Sequence, residues 1–205
     1  MTITRNWKIA IAVSSVIMLG VVGFSFVNYR KKRIRNISKL YTGIEETGNN
    51  QGFNNAVFEK MMREVGWTSG AQWCSFFAKM VVTNALPNFK DDINKWFSGS
   101  SQATYNNVAN GKSDKFEIVK NGLPKKGDVI IWQTRGNTST GHVGIVTKTY
   151  PGQPNKFLAV EGNTNFDPEF NGDGQLVDIV PHETKVGEQD SVYRSKILRG
   201  FIRLK

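Results

Sequence analysis

Chemistry-bearing side chains are scarce in this chain of 205 residues, which has one cysteine and two histidines. The lone cysteine, Cys74, excludes an intramolecular disulfide and leaves the redox compartment open. Low-complexity tracts and internal repeats are absent, and the length suits one ordinary domain plus an appendage. Acidic residues are missing altogether from positions 1–44, which carry eight of the 27 basic residues. The remaining 161 positions hold 19 basic against 17 acidic residues, so the net charge of +10 belongs almost wholly to the N-terminus. A basic nucleic-acid-binding face is therefore excluded, and no nucleic acid is expected as a partner.

The longest stretch without a charged or amide side chain is Ile9–Val27, "IAIAVSSVIMLGVVGFSFV". A helix of that length reaches roughly 28 Å, close to the hydrocarbon thickness of a bilayer. It exceeds the apolar core of a cleaved signal, about 7–15 residues. The sequence thus predicts an uncleaved transmembrane anchor at residues 1–35, with the bilayer as partner through residues 9–27. The flanking charges conflict with the chemistry below: "RKKRIR", residues 30–35, would hold the following domain in the cytoplasm under the positive-inside rule.

Beyond residue 36 the hydrophobic period is first helical and then alternating. "NISKLYTGIEETG", "FNNAVFEKMMREVGW" and "WCSFFAKMVVTNAL" read as helices stopped by Gly48, Gly66 and Pro87. "SQATYNNVANG" reads as a further helix, with the rest of 88–126 as loop. From Gly127, "GDVIIWQ", "HVGIVTKTY", "KFLAVEGN", "GQLVDIV" and "ILRGFIRL" are short, β-branched and separated by turn residues. Helices followed by strands predict an α+β domain over 36–205 with a mainly antiparallel sheet.

Cys74 opens the third helix after the turn Thr68–Gly70. A thiol there is either a small buried hydrophobe or a nucleophile, because unsatisfied N–H groups at a helix N-terminus favour thiolate. A nucleophile needs an imidazole to take its proton and a third group to orient that imidazole. His142 follows Gly141 at the start of a strand, whereas His182 follows Pro181 in a region that reads as loop. "AVEGN" offers Glu161 and Asn163, which strand alternation would put on one face, and either could accept from the imidazole. The Cys74 N–H, helped by Gln72, would stabilise the oxyanion. Trp73, Phe76 and Phe77 read as core.

Taken together and in order, four segments resemble the CHAP domains (cysteine, histidine-dependent amidohydrolase/peptidase) of the papain-like superfamily. "GAQWCSFFAKMV" is similar to that family's Gly-x-x-Trp-Cys-x-x-Phe helix start, and "LPKKGDVIIW" to its Pro-x-x-Gly-Asp strand. "GHVGIVTK" and "VEGNTN" resemble its histidine and Glu-Gly-Asn strands. "EETGNN" and "NGDGQLV" resemble phage-type and bacterial cell-wall versions. The resemblance implies a papain-like fold, with N-terminal helices packed on the sheet, and hydrolysis of peptidoglycan. The bond is the N-acetylmuramoyl-L-alanine amide or a peptide bond of the stem or cross-bridge. Carried over by position, Cys74 is the nucleophile, His142 the base, Glu161 the orienting carboxylate, and Asn163 its alternative or a fourth member.

The resemblance implies no cofactor and no metal. An acidic cluster before the cysteine, which holds calcium in some relatives, is missing. "DPEFNGDGQLVD" matches a calcium loop only loosely, since no helix pair is expected to frame it. The anchor would stand in for a wall-binding module, with the catalytic domain facing the periplasm or wall, or carried in a phage particle. The biological setting would be phage lysis or host penetration, or bacterial wall remodelling. The competing readings are a papain-like peptidase acting on another acyl substrate and a catalytically idle membrane-tethered module.

Overall fold

The computed structural model describes residues 25–164, 174–193 and 195–205. The predicted span Ile9–Val27 lies outside the described residues except at positions 25–27. Among the described residues no helix is long and apolar enough to cross a membrane. The loose calcium pattern at 167–178 also lies mostly outside them.

Helix α1 covers residues 25–39. A two-residue hairpin follows, β1 (Glu46–Thr47) and β2 (Gly52–Phe53), then α2 (Ala56–Glu64) and α3 (Cys74–Ala85). A 3-10 turn at Pro87–Phe89 leads into α4 (Lys90–Trp96) and α5 (Ser101–Ala109). The strands are β3 (Phe116–Val119), β4 (Val129–Thr134), β5 (Gly141–Tyr150), β6 (Gln153–Thr164), β7 (Leu176–Glu183) and β8 (Lys196–Leu204). They form one sheet in the order β3-β8-β4-β5-β6-β7, antiparallel at every pairing. The class is α+β, with the helices before the sheet as the sequence predicts.

Several boundaries differ from the sequence reading. The first helix stops at residue 39, not at Gly48. Gly43, at φ +85°, turns the chain, and residues 43–46 run beside β7 through Gly43 N–H to Val177 O (2.8 Å) and Val177 N–H to Ile44 O (2.8 Å). Residues 25–35, part of the expected anchor segment, lie in α1, whose Ile34 is completely buried in the core. The "PKKGD" segment explains this docking. A Cβ at Gly127 would meet the Lys31 carbonyl at 2.7 Å, so glycine permits the close approach of the loop to α1. Buried Asp128 accepts from Lys125 N–H (2.8 Å) and from Arg203 (2.6 Å), tying that loop to β8. Helix α4 and strand β3 fall where the sequence predicts loop. Both are too short for a period to show, but α4 buries Ile93 and Trp96.

Alternation along the strands separates two cores. Val129, Ile131, Val143, Ile145, Val160 and Ile202 face the helices, where they pack with Trp73, Phe77, Met80 and Val81 of the α3 region. Ile130, Trp132, Val146, Phe157, Ala159, Leu198 and Phe201 form a second cluster. The Trp132 ring of β4 stands 4.7 Å from the His182 ring of β7, although β5 and β6 intervene in the sheet. The sheet therefore curls, and its inner face encloses the second cluster.

Candidate active site

Cys74 is the first residue of α3 and is half-buried. Trp73, the N-cap, is fully buried, makes no side-chain cap, and is followed by a first turn without acidic residues. The first-turn N–H groups have no intrahelical acceptors and favour an anion at this end. Two hydrogen bonds fix the helix start: Trp73 Nε1–H to Glu46 Oε2 (2.7 Å) and Trp73 N–H to Asn163 Oδ1 (2.9 Å).

His142 is the second residue of β5, opposite Trp132. Gly141 beside it leaves room for Gln102 of α5 to donate to Trp132 O at 2.7 Å, a contact that any Cβ there would obstruct. Two residues on, Gly144 pairs with Glu161, and a Cβ at Gly144 would meet Glu161 Cγ at 2.6 Å. Glycine thus lets the Glu161 side chain lie across β5 towards His142.

Glu161 is wholly buried, and both of its oxygens are engaged. Oε2 is 2.9 Å from His142 Nε2 and accepts the Tyr193 hydroxyl; Oε1 is 2.6 Å from His182 Nε2. An ionised carboxylate only accepts, so Nε2 of His142 carries a proton, and Nδ1 is the ring nitrogen left for Cys74. Burial alone would push His142 down, but hydrogen bonds to Cys74 and Glu161 and their negative charges raise it to about 9. Burial would likewise push Glu161 up. The His182 charge and the hydrogen bonds from both histidines prevail and hold it at about 2. His142 is therefore held as an imidazolium backed by an ionised carboxylate.

The structure brings Cys74, His142 and Glu161 together and turns the Asn163 side chain to other partners. The β6–β7 pairing shifts register between Glu161 and Thr164, and Asn163 has φ +57°. Such a bulge re-aims a side chain and breaks the strict alternation expected from the sequence. Asn163 instead bonds the Trp73 N–H and, through Nδ2, Gly174 O. It braces the start of the cysteine helix. Gln72 is exposed, just before the N-cap Trp73 of α3.

His182 corrects the sequence reading most. It lies in β7, not in a loop: Pro181 sits within this last strand of the sheet order, where a missing N–H is tolerated. Its Nδ1 is 3.0 Å from Asp190 Oδ1, and Asp190 Oδ2 accepts from Trp132 Nε1 at 2.9 Å. Asp190, Tyr193 and Lys196, near the start of β8, are site residues that sequence reasoning misses. Lys196 stands 4.7 Å over the Tyr193 ring; burial lowers its pKa against the attraction of Glu161, Cys74 and Asp190. No motif marks these three, since they join the site only through the curl of the sheet.

The family model described as "CHAP domain" matches residues 26–163, which include Cys74, His142 and Glu161. No curated protein and no solved structure matches the chain. CHAP domains are typically cysteine/histidine-dependent amidohydrolases or peptidases, and the family suggests a hydrolase of the peptidoglycan amidase or peptidase type. With two thirds of its length matched, from α1 to the end of β6, the chain belongs to the CHAP domain family.

Proposed function

We propose that this protein is a membrane-anchored peptidoglycan hydrolase that cuts an amide bond by nucleophilic catalysis. The observation that carries the reading is the Cys74–His142–Glu161 constellation: a half-buried thiol at a helix start, an imidazole near enough for that thiol to raise its pKa, and a buried carboxylate 2.9 Å from Nε2 of that imidazole. In this mechanism the Cys74 thiolate attacks the carbonyl carbon of the scissile amide. The oxyanion is held by the Cys74 N–H, with Gln72 as a second donor. The C–N bond breaks as His142 gives its Nδ1 proton to the departing nitrogen, leaving a thioester on Cys74. Water then adds to the thioester and gives its proton to His142. The C–S bond breaks, releasing the carboxylic acid and restoring the thiolate–imidazolium pair. Glu161 keeps the imidazole in place and stabilises its charge throughout.

Residues 9–27 would hold the enzyme in the membrane, with the domain on the periplasmic or wall side, because peptidoglycan lies there. The charge bias of "RKKRIR" is a preference that a folded domain can override. A groove of about 730 Å³ begins at Val27 and Asn28, where the apolar run ends. It gathers Lys31, Lys32 and Arg35 of α1 with Lys125, Lys126 and Lys205. Near anionic head groups each cation contributes about 1 kcal/mol, which supports docking of this face on the bilayer.

Mass spectrometry of fragments released from purified peptidoglycan tests the reading. New N-terminal L-alanine on free stem peptides identifies an amidase; cut stems or cross-bridges identify an endopeptidase. Intact peptidoglycan after prolonged incubation would refute both. Protease added to intact spheroplasts tests the orientation: digestion of the domain supports it, and protection until the membrane is broken overturns it.

A further inference from the structure

The proposed mechanism uses one histidine, yet the buried network holds two. His182 is 3% exposed, and both of its ring nitrogens lie against carboxylates: Nε2 is 2.6 Å from Glu161 Oε1 and Nδ1 is 3.0 Å from Asp190 Oδ1. Two ionised carboxylates can only accept, so an imidazole between them makes both contacts by carrying two protons. A neutral His182 would leave one ring nitrogen facing a carboxylate lone pair to lone pair. Phe157 stacks on the ring at 5.2 Å and Trp132 lies at 4.7 Å, so its position is fixed.

We propose, building on the reading of Cys74 as nucleophile, that His182 is a positioning residue. Clamped as an imidazolium between Glu161 and Asp190, it holds Glu161 ionised and aimed at His142, which then keeps its proton opposite the Cys74 thiolate. Buried charges are tolerated only when paired and fully hydrogen-bonded. From thiol to strand end the charges alternate: thiolate, His142 imidazolium, Glu161, His182 imidazolium, Asp190. Without the fourth member, two carboxylates would share one buried cation, and the cheapest relief is a proton on Glu161. A neutral Glu161 no longer stabilises the His142 imidazolium.

The other groups around the clamp fit this arrangement. Asp190 is itself anchored by Trp132 Nε1 and by the N–H groups of Val192 (2.9 Å) and Tyr193 (3.2 Å), so it cannot swing away from His182. The Tyr193 hydroxyl donates to Glu161 and lies 2.8 Å from Thr164 Oγ1; burial beside Glu161 pushes it well above its usual range, so it stays a neutral donor. Lys196 on β8 adds a cation at the rim. Burial would push His182 down, but the charge of Glu161 and the hydrogen bond to Asp190 raise it to about 9, in keeping with an imidazolium.

Two measurements on the whole protein test this without any substrate. The first is the rate of Cys74 alkylation by iodoacetamide as a function of pH, in the parent protein and in His182→Gln. The pH of half-maximal rate should move up by about one unit or more in the variant; the rates should converge at high pH, where Glu161 is ionised in both. An equal loss of rate at every pH, or an unmoved profile, would show that His182 only fills space. Should His182→Gln not fold, ring ¹⁵N spectra of the parent protein decide the matter, since the chain has only two histidines. Alkylation of Cys74 identifies the His142 signals by perturbing them. A doubly protonated His182 at pH 7.5 is expected, and a neutral one overturns the proposal. A protein that shows this titration but leaves peptidoglycan intact would refute the proposed substrate and not the clamp.

Discussion

The two faces of the sheet solve opposite problems with the same strands. On the helix side, Val129, Ile131, Val143, Ile145 and Val160 meet α3 in a core that is almost wholly apolar and driven by burial alone. On the inner side, the alternate residues of those strands carry Trp132, His142 and Glu161, and the curl brings His182, Asp190 and Tyr193 against them. The first face supplies stability through close apolar packing. The second sets a hydrogen-bonded network of ionisable groups beside an apolar cluster, and the loss of one partner leaves a buried charge exposed to its full desolvation cost. Rigidity from the first is what makes the second affordable, since α3 and β5 must hold Cys74 and His142 close to one another.

Substitutions on the two faces should accordingly separate rate from stability. The largest effect is expected from Glu161→Gln, which keeps the shape and removes the charge: hydrolysis should fall about 10²–10⁴-fold. Steady-state rates on purified peptidoglycan check it, and a loss below about threefold would break the contrast. Phe58→Ala, in the apolar core beside Phe53 and Tyr41, should cost about 3–5 kcal/mol in denaturant unfolding; its ring neighbours lie 4.8 and 5.4 Å away. The rate per folded molecule should stay within a few fold of the parent. Asn163→Ala lies between the two faces, because it strips the acceptor from Trp73 N–H. It should cost about 1–3 kcal/mol and reduce the rate less than Glu161→Gln does; the reverse ranking would make Asn163 the imidazole's partner.

The comparison also bears on the pH dependence of stability. His142 and His182 are both raised to about 9, so their contribution is complete below the unfolded histidine value of about 6.5 and fades as pH rises through 9. Glu161, held at about 2, contributes fully above the unfolded value of about 4.3 and loses that contribution as pH falls towards 2. Thermal melts should therefore decline from pH 7 to 9, and the slope should lessen in His182→Gln. A stability that rises over that interval would contradict the paired, charged network.

The apolar face is legible in the sequence because its signal is local. Apolar periods in 53–65 and 73–86 mark α2 and α3, and β-branched runs mark most of the sheet. Cys74, His142 and Glu161 are legible as well, since each sits in a compact motif with glycines that the packing requires. Asn163 misleads, because its left-handed backbone cancels the alternation on which its expected direction rests. His182, Asp190, Tyr193 and Lys196 are not legible as site residues at all. They come from the last quarter of the chain, carry no motif, and reach Glu161 only because β7 curls back over β4. Pro181 adds to the difficulty by looking like a strand end.

The most direct test of Cys74 as nucleophile is the release of free amino groups from purified peptidoglycan, measured side by side for the parent protein and Cys74→Ala. Cutting either the muramoyl amide or a stem or cross-bridge peptide yields one new amine per cut. The expected result is steady release by the parent and none by the variant, with both showing the same unfolding free energy to within about 1 kcal/mol. Equal release by the two proteins, or none by a folded parent across pH 5–9, would contradict it.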